Sequence, residues 1–200
     1  MKLYFVRHGE SEANTRHIIS NRERLLGLTS LGREKAKALA KSLSDISFSA
    51  IFCSRVLRAR ETAAMLSVAL NTPYQLTEAL REYDCGILED QSDAESWRLH
   101  REYFDDWTLR HNYRNKPEGG ESFLDIQDRF LPFIESLKAG ADRHILLIGH
   151  GGLLHLMLPL VLTNIDDVFV SVYGMDHTEC VIAELCSDKF FCKQWGNIQF

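Results

Sequence analysis

The chain has 200 residues, 45% hydrophobic and 26% charged, which fits one sizeable core and falls short of two comfortable domains. A formal net charge of −5 argues against non-specific binding to nucleic acid, which needs a broad basic face. No apolar run approaches the ~20 residues of a membrane span, and Arg7 interrupts the first apolar run too early for a signal peptide. With five cysteines and no C-x-x-C pair, we expect a cytoplasmic protein with reduced thiols.

Strand and helix patterns alternate through the first half of the chain. Short apolar runs rich in aromatic and β-branched residues predict buried strands, and apolar residues at helical spacing predict helices. The predicted elements are a strand at Lys2–Val6, a polar turn at 7–11, a loop over 14–28, a helix capped by Thr29 or Ser30 with Leu31, Ala36, Leu39, Ala40 and Leu43 at helical spacing, a strand at Ala50–Cys53, a helix at Val56–Leu70 and an extended segment from Pro73.

The last third of the chain repeats this pattern. A strand at His144–Ile148 is followed by a helix at Leu153–Leu162 that Pro159 bends, and then by two strands at Cys180–Leu185 and Phe190–Trp195. The alternation predicts an α/β fold, a three-layer sandwich with a mainly parallel central sheet flanked by helices. We interpret residues 1–200 as one domain. The aromatic side chains of the tail could pack in its core or in a homodimer.

Residues 90–120 are polar and aromatic together. Trp97, His100 or Arg101, Phe104, Trp107 and His111 recur every three or four residues, which predicts an amphipathic helix. Because the segment interrupts the strand–helix alternation, it is also a candidate helical lid insertion. Packing of the stripe on the core and a role as a lid are compatible.

Three polar clusters follow the three predicted parallel strands. They are Arg7-His8-Gly9, the segment from Ser54 to Arg58, and Gly149-His150-Gly151-Gly152. In open α/β sheets, ligands bind beyond the carboxyl ends of the strands, so we expect the clusters to form one site. The planar guanidinium group of arginine can donate two parallel hydrogen bonds to phosphate oxygens, and glycines let backbone N–H groups approach an anion closely. The combination predicts phosphate chemistry.

A histidine in such a site can be a nucleophile, a proton carrier or a metal ligand. The metal role is not favoured, because the sequence has no H-E-x-x-H or H-x-H pattern and two arginines would repel a cation. For His8, the arginines lower the pKa and keep a ring nitrogen free to attack. We interpret the others as ordinary surface or core residues, namely His17, His100, His111, His144, His155 and His177. No cofactor is expected.

These clusters resemble the motifs of the histidine phosphatase superfamily, the phosphoglycerate-mutase-like enzymes. The resemblance covers nearly the whole chain and is specific because the segments occur in the family's order and spacing. The matching segments are Arg7-His8-Gly9-Glu10-Ser11 with Asn14, Leu28-Thr29 with Gly32 and Ala36, Ser54 to Thr62, Leu80-Arg81-Glu82 with Gly86 and Glu89, Gly119 to Ser122, and Gly149 to Gly152.

The resemblance implies a role for each matching residue. His8 would accept the phosphoryl group, and Glu82 would protonate the leaving oxygen and later activate water. Positive charge would come from Arg7, Arg58 and a protonated His150. The remaining substrate-binding positions would be Asn14 and the backbone at Gly151. No metal is implied.

The chain departs from the family pattern near the acid. Arg55 replaces a proline and would add positive charge near the pocket mouth, and Asp90 replaces a glycine. In the mutase branch, the segment after the acid contains a lysine. In this chain the segment after Glu82 lacks that lysine and contains Asp84 and Asp90 instead, which favours hydrolysis. A phosphoglycerate-type phosphomutase and a non-catalytic protein that binds phosphorylated ligands remain alternatives.

The expected substrate is a small phosphorylated metabolite. Residues 16–27 and 92–116 would line the mouth of the site. Candidates for reading a second anion are Arg22, Arg24, Arg98, Arg101 and Arg114.

Overall fold

A seven-stranded sheet organises the computed structural model, which describes residues 1–139 and 143–200. Its strands are β1 (Lys2–Arg7), β2 (Ala50–Cys53), β3 (Tyr74–Leu76), β4 (His144–Gly149), β5 (Cys180–Cys186), β6 (Lys189–Trp195) and β7 (Ile198–Gln199). Within the same ranges, the α-helices are α1 (Glu12–Thr15), α2 (Ser30–Ser42), α3 (Leu57–Ala69), α4 (Ala94–Thr108), α5 (Phe123–Leu137), α6 (Gly151–Val161) and α7 (Asp167–Tyr173). Short 3₁₀ turns cover Glu78–Leu80 and Gly86–Leu88.

The order of the strands is β3-β2-β4-β1-β5-β6-β7. Strands β3, β2, β4 and β1 pair in parallel, and helices connect them because a parallel pair needs a long crossover. Strand β5 runs antiparallel to β1, and β5 to β7 form antiparallel pairs joined by tight turns. The predicted α/β sandwich is confirmed as a mixed sheet, parallel in the half that follows the strand–helix alternation.

Helices cover both faces of the sheet. Small side chains let α2 and α3 lie close to one face, with Ala36, Ala40, Ala59 and Ala63 buried there. The other face carries a larger core that includes α5 and α6. Among the described residues, no helix is both long enough and apolar enough to cross a membrane.

The buried stripe of α2 agrees with the prediction at Ala36, Ala40 and Leu43 and differs from it at Leu31. Leu31 is 46% exposed, whereas Gly32, Ala36 and Ala40 are buried. Positions four apart lie on one face of a helix, so Gly32 belongs to the inner stripe and Leu31 is rotated away from it.

The boundaries of several other elements also differ. Strands β1 and β4 each continue one residue further than predicted, and α6 begins at Gly151 because His150 takes its N-cap position. Helix α4 begins after the Asp93 cap and ends before His111, which has a left-handed φ of 56°. Helices α1, α5 and α7 were not predicted. Helix α5 has a capping box at Ser122 and Asp125, but its internal Pro132 obscured the pattern.

The tail aromatics pack within the chain. Phe190 and Trp195 are each 2% exposed, and the Trp195 indole donates a hydrogen bond to the Gly174 carbonyl. The core can therefore accommodate these side chains without a second protomer. A homodimer and the single-domain organisation with a lid insertion stay predictions.

Candidate active site

The three polar clusters meet where β1, β4 and β2 end. In the sheet register, Arg7 lies opposite Gly149 and Cys53 lies opposite Ile148. Just beyond these ends, the His8 amide donates to the Gly149 carbonyl over 3.0 Å, and the Ser54 amide donates to the Ile148 carbonyl over 3.0 Å. Parallel pairing thus brings residues far apart in sequence to one edge of the sheet.

His8 is buried with its ring orientation fixed. Its Nδ1 donates to the Gly9 carbonyl over 2.7 Å, so the lone pair lies on Nε2, 2.8 Å from Arg58 Nε. Thr62 holds this turn by accepting the Gly9 amide. Burial and the nearby Arg58 guanidinium hold the pKa of His8 well below its usual value. The ring is therefore neutral near pH 7 and has its lone pair on Nε2, which is what the predicted role as a nucleophile requires.

Arg58 connects His8 to two other parts of the site. Its guanidinium donates to the Ser20 carbonyl over 2.6 Å and to His150 Nδ1 over 3.2 Å. The side chain is 5% exposed, and burial lowers the pKa of Arg58 to about 10. It therefore keeps its positive charge at neutral pH. We call the cluster of Arg7, His8, Arg58 and His150 the candidate phosphate site, or phosphate site for short. The contact with Ser20 attaches the 16–27 loop to it.

Arg7 is held from the opposite side. Its guanidinium donates to the Met175 carbonyl over 2.6 Å and to His177 Nε2 over 3.0 Å. Within residues 1–139 and 143–200, its buried Nε has no hydrogen-bond partner, which makes it a candidate donor to a ligand. Gly151 lies directly against this guanidinium, because a Cβ there would be 3.0 Å from Arg7 Nε.

His177 corrects the interpretation from sequence. Besides bonding Arg7, its ring centroid lies 5.7 Å from that of His8. Burial and Arg7 lower the pKa of His177 to about 4, so it is a neutral acceptor for Arg7. Only the antiparallel pairing of β5 with β1 brings it here, with the Thr178 amide bonded to the Arg7 carbonyl. Local sequence carried no signal of this position.

His150 is fully buried, and both ring nitrogens have partners within the protein. Nε2 lies 2.8 Å from Ser54 Oγ, and Nδ1 receives the bond from Arg58. Burial and Arg58 hold the pKa of His150 well below its usual value. The expected protonated His150 is therefore wrong for this state of the site, because a second cation beside Arg58 is unfavourable.

Glu82 lies at the N-terminus of α6. Its carboxylate accepts hydrogen bonds from the amides of Gly152 over 2.9 Å and Leu153 over 2.7 Å. A Cβ at position 152 would come within 2.5 Å of the Tyr83 ring, so this close approach requires glycine. Burial raises the pKa of Glu82, although Arg58 and the backbone donors oppose the increase. It therefore keeps its proton to a higher pH than an ordinary carboxyl group.

Asn14 and Gly151 line the same cavity as His8, Arg58 and Glu82. The Asn14 Oδ1 accepts hydrogen bonds from the amide and the hydroxyl of Ser11, which leaves the amide nitrogen as the group for a ligand. The candidate residues are thus brought together, and their roles toward substrate stay predictions.

The cavity has a volume of about 740 Å³. The predicted mouth segments contribute to its wall through residues 18–21 and several residues of α4. Sequence reasoning missed two contributions, the segment 173–176 and His155 of α6. His100 lies within the predicted mouth segment 92–116, although its side chain was interpreted as an ordinary surface or core residue.

Asp84 and Asp90, the acidic residues that depart from the family pattern, each pair with an arginine of the 16–27 loop. Arg22 bonds Asp84 over 3.0 Å, and Arg24 forms an ion pair with Asp90. These pairs join the loop to the segment that carries Glu82. Arg22 and Arg24 are therefore engaged with carboxylates of the chain.

The other three arginines that were predicted to bind a second anion lie in different parts of the structure. Arg98 pairs with Glu95 and Glu102 on the surface of α4, and Arg114 is exposed away from the cavity. Arg101 does line the cavity. The predicted charge of Arg55 at the pocket mouth is wrong, because Arg55 pairs with Glu78 and is not part of the wall.

The side chains of the site do not form a metal-binding set. Across the described ranges, no group of three or more His, Cys, Asp or Glu residues is arranged to hold a metal ion. Positive charge near His8 comes instead from Arg7 and Arg58, which lie within hydrogen-bond distance of histidine nitrogens.

The fold and the strand-end site define an α/β protein with arginine, histidine and glycine residues gathered at one edge of the sheet, a set suited to bind a phosphoryl group. The sequence model of the histidine phosphatase superfamily (branch 1) matches residues 3–198. The chain therefore belongs to this superfamily, and its enzyme class is that of the phosphoric monoester hydrolases.

Several relatives are similar over most of the chain. The glucosyl-3-phosphoglycerate phosphatase of Mycolicibacterium vanbaalenii is 32% identical, with 90% of this chain and 82% of the relative covered. The adenosylcobalamin/alpha-ribazole phosphatase of Salmonella typhimurium is 31% identical over 82% of this chain and 80% of the relative. The chain spans about a third (33%) of the 6-phosphofructo-2-kinase/fructose-2,6-bisphosphatase 1 of Mus musculus, which is 31% identical over 82% of this chain. Among solved structures, Bacillus stearothermophilus YhfR superimposes with a TM-score of 0.85 at 28% identity, covering 99% of this chain and 98% of that one.

Proposed function

We propose that this protein hydrolyses a small phosphomonoester through a covalent phosphohistidine on His8, with Glu82 as the proton donor. The observation that carries the proposal is the His8 ring, whose Nδ1 is bonded to the Gly9 carbonyl and whose Nε2 lies 2.8 Å from Arg58 Nε. A neutral imidazole with a fixed tautomer beside two guanidinium groups is suited to attack an anionic phosphorus.

In the first step, His8 Nε2 attacks phosphorus as the bond to the leaving oxygen breaks. Arg58 exchanges its bond to Nε2 for one to a phosphate oxygen, and Arg7 donates from the other side. Glu82 gives its proton to the leaving oxygen, so an alcohol departs and Glu82 becomes a carboxylate.

In the second step, the Glu82 carboxylate takes a proton from water, and the resulting nucleophile attacks phospho-His8. The N–P bond breaks, inorganic phosphate forms, and His8 returns to neutral imidazole. Glu82 is again protonated and ready for the next cycle. The backbone donors at the start of α6 hold the carboxylate in place between the steps.

The names of the relatives support hydrolysis over mutase chemistry. Two of them, covered over 80% and 82% of their length, are named as phosphatases with different substrates. We propose a small phosphorylated metabolite as the substrate of this chain as well. A mutase would return the phosphoryl group to substrate, and a ligand-binding protein would not turn over.

The test combines trapping of the intermediate with substitution of its acceptor. Wild-type enzyme quenched during turnover of p-nitrophenyl phosphate should carry an acid-labile, base-stable phosphoryl group, and His8→Ala should lose both label and turnover. His111→Ala, which changes an exposed histidine, is the matched control. Near wild-type turnover by His8→Ala would overturn the covalent mechanism. Labelled wild-type enzyme that releases no phosphate would point instead to the mutase.

A further inference from the structure

The cavity extends well beyond the phosphate site. Its 740 Å³ falls in the range that encloses a drug-sized ligand, so it has room for a sizeable leaving group. The outer wall is formed chiefly by α4, with His155 of α6 and the 173–176 segment opposite. The chemistry of this wall bears on which phosphomonoesters fit.

The charges of the outer wall do not favour a second anion. Beyond Arg7, Arg58 and Glu82, the charged residues that line the cavity are Arg101, Asp105 and Asp176. The outer wall thus carries one positive and two negative charges, a net charge of one negative unit. A leaving group with its own carboxylate or phosphate would meet this wall without a matching cluster of cations.

A large share of the apolar outer wall consists of rings in mutual contact. We call the side chains of Tyr83, Trp97, His100 and Phe104 the aromatic wall. Ring centroids are 5.1 Å apart between Trp97 and His100, 5.7 Å between His100 and Tyr83, and 6.5 Å between Tyr83 and Phe104. All four line the cavity, and the three on α4 are partly exposed.

The Tyr83 hydroxyl, the His100 Nε2 and the Trp97 indole N–H of this wall are already bonded inside the protein. The Tyr83 hydroxyl lies 2.9 Å from His100 Nε2, and the Trp97 indole donates to the His17 carbonyl over 2.7 Å. Burial and Arg101 lower the pKa of His100 to about 4, so its ring is uncharged near neutral pH. What remains for a ligand is mainly a set of ring faces and edges, together with His100 Nδ1.

We propose that the aromatic wall selects phosphomonoesters whose leaving group carries an uncharged planar ring. The inference rests on the proposed function. A planar ring would bury apolar area against Trp97 and Phe104 and would also gain ring–ring contacts. A leaving group that is a small acid would gain neither contact and would face Asp105 and Asp176.

The experiment compares esters whose leaving groups are all alkyl alcohols. We expect kcat/KM for 2-phenylethyl phosphate to exceed that for 3-phosphoglycerate at least about tenfold, the scale on which an apolar pocket discriminates. The value for 2-cyclohexylethyl phosphate should lie between them, because it buries similar area without ring–ring contacts. Equal values for all three esters, or a preference for 3-phosphoglycerate, would overturn the inference.

Substitution of Trp97 assigns the selectivity to the wall. Trp97→Ala should lower the kcat/KM ratio of 2-phenylethyl phosphate to glycerol phosphate about tenfold, mainly by raising KM for the aromatic ester. Trp97→Phe should restore most of the ratio. Arg98→Ala is the matched control, because Arg98 is next in sequence but pairs with Glu95 and Glu102 outside the cavity. An unchanged ratio in Trp97→Ala, or an equal change in Arg98→Ala, would contradict the assignment.

Failure of the inference and failure of the proposed function give different results. If phosphohistidine forms with p-nitrophenyl phosphate but no ester is preferred, the result supports the proposed function and contradicts the selective role of the aromatic wall. If no phosphoenzyme forms with any ester, the proposed function itself falls.

Discussion

The phosphate site and the aromatic wall line one cavity but are built differently. His8, Arg58 and His150 are at most 5% exposed, and they follow the ends of strands or begin the next helix. Trp97, His100 and Phe104 are only partly buried and come from a single helix, α4. On the proposed function, the sheet would determine the geometry of the chemical step, whereas α4 would form much of the wall that the leaving group meets. Changes in α4 would then alter the substrate without disturbing the chemistry.

The largest effect among variants that retain His8 is expected at Glu82. An alkyl phosphate leaves as a basic alkoxide and needs a proton, and Glu82→Gln has no proton to give. The variant should phosphorylate His8 from alkyl esters roughly 10²–10⁴-fold more slowly, measured in single-turnover experiments. The p-nitrophenyl ester should lose much less in this step, because its leaving group is a weak base.

Burst kinetics separate this effect from the second step, in which Glu82 would also activate water. Equal slowing of His8 phosphorylation for both esters would show that Glu82 is not the acid. Glu89 or Asp84 would then be the next candidate. The Glu89 carboxylate accepts the amides of Asn21 and Cys85, Asp84 pairs with Arg22, and neither residue is part of the cavity wall.

A smaller effect is expected from His177, which acts through Arg7. Removal of its imidazole in His177→Ala frees one side of the guanidinium, and we expect phosphate binding to weaken about tenfold, the loss of one hydrogen bond to a charged group. Isothermal titration with vanadate measures this binding without turnover. His177→Gln can accept the same bond through its amide oxygen and should recover most of the affinity.

The His177 result also tests the comparison between the two regions. A positioning role predicts weaker vanadate binding with an unchanged preference among the ring-bearing and ring-free esters. If His177→Ala changes the ester preference instead, His177 belongs with the outer wall. His111→Ala, far from Arg7 and bonded to Tyr113, controls for the loss of a histidine as such.

The aromatic wall should make stability depend on pH. The pKa of His100 falls from 6.5 to about 4 in the folded protein, mainly through burial. Between these pH values the unfolded chain binds a proton that the folded chain does not, so the free energy of unfolding decreases on acidification. His100→Gln cannot titrate and should lose stability less steeply, by at most about 1.4 kcal/mol per pH unit.

Urea unfolding of both proteins between about pH 7 and about pH 5 measures the difference. The raised pKa values of Glu82 and Glu89, caused by burial, contribute with the opposite sign, but they are common to both proteins and cancel. Parallel pH profiles for the wild type and His100→Gln would contradict a lowered pKa of His100 in the folded protein.

The smallest effect is expected from a chelator. Arg7 and Arg58 supply the positive charge of the phosphate site, so EDTA should leave kcat unchanged while vanadate inhibits. Loss of activity in EDTA that a divalent cation restores would assign the chemistry to a metal-dependent mechanism.

The sequence by itself determined the parallel strands and the clusters that follow them. Apolar runs such as Lys2–Val6 and His144–Ile148 are local signals, and in parallel sheets a polar cluster after a strand falls at the ligand-binding edge. The positions of His8, Arg7, Arg58 and His150 could therefore be predicted before any contact was known, whereas Glu82 was indicated only by the family resemblance.

Only the tertiary structure decided the partners of these residues. His177 reaches Arg7 because β5 pairs antiparallel with β1, and Arg22 and Arg24 are engaged by Asp84 and Asp90, more than sixty residues away. The protonation state of His150 likewise depends on burial beside Arg58. Such properties arise from contacts distant in sequence and from loss of solvent, and neither leaves a periodic pattern in the chain.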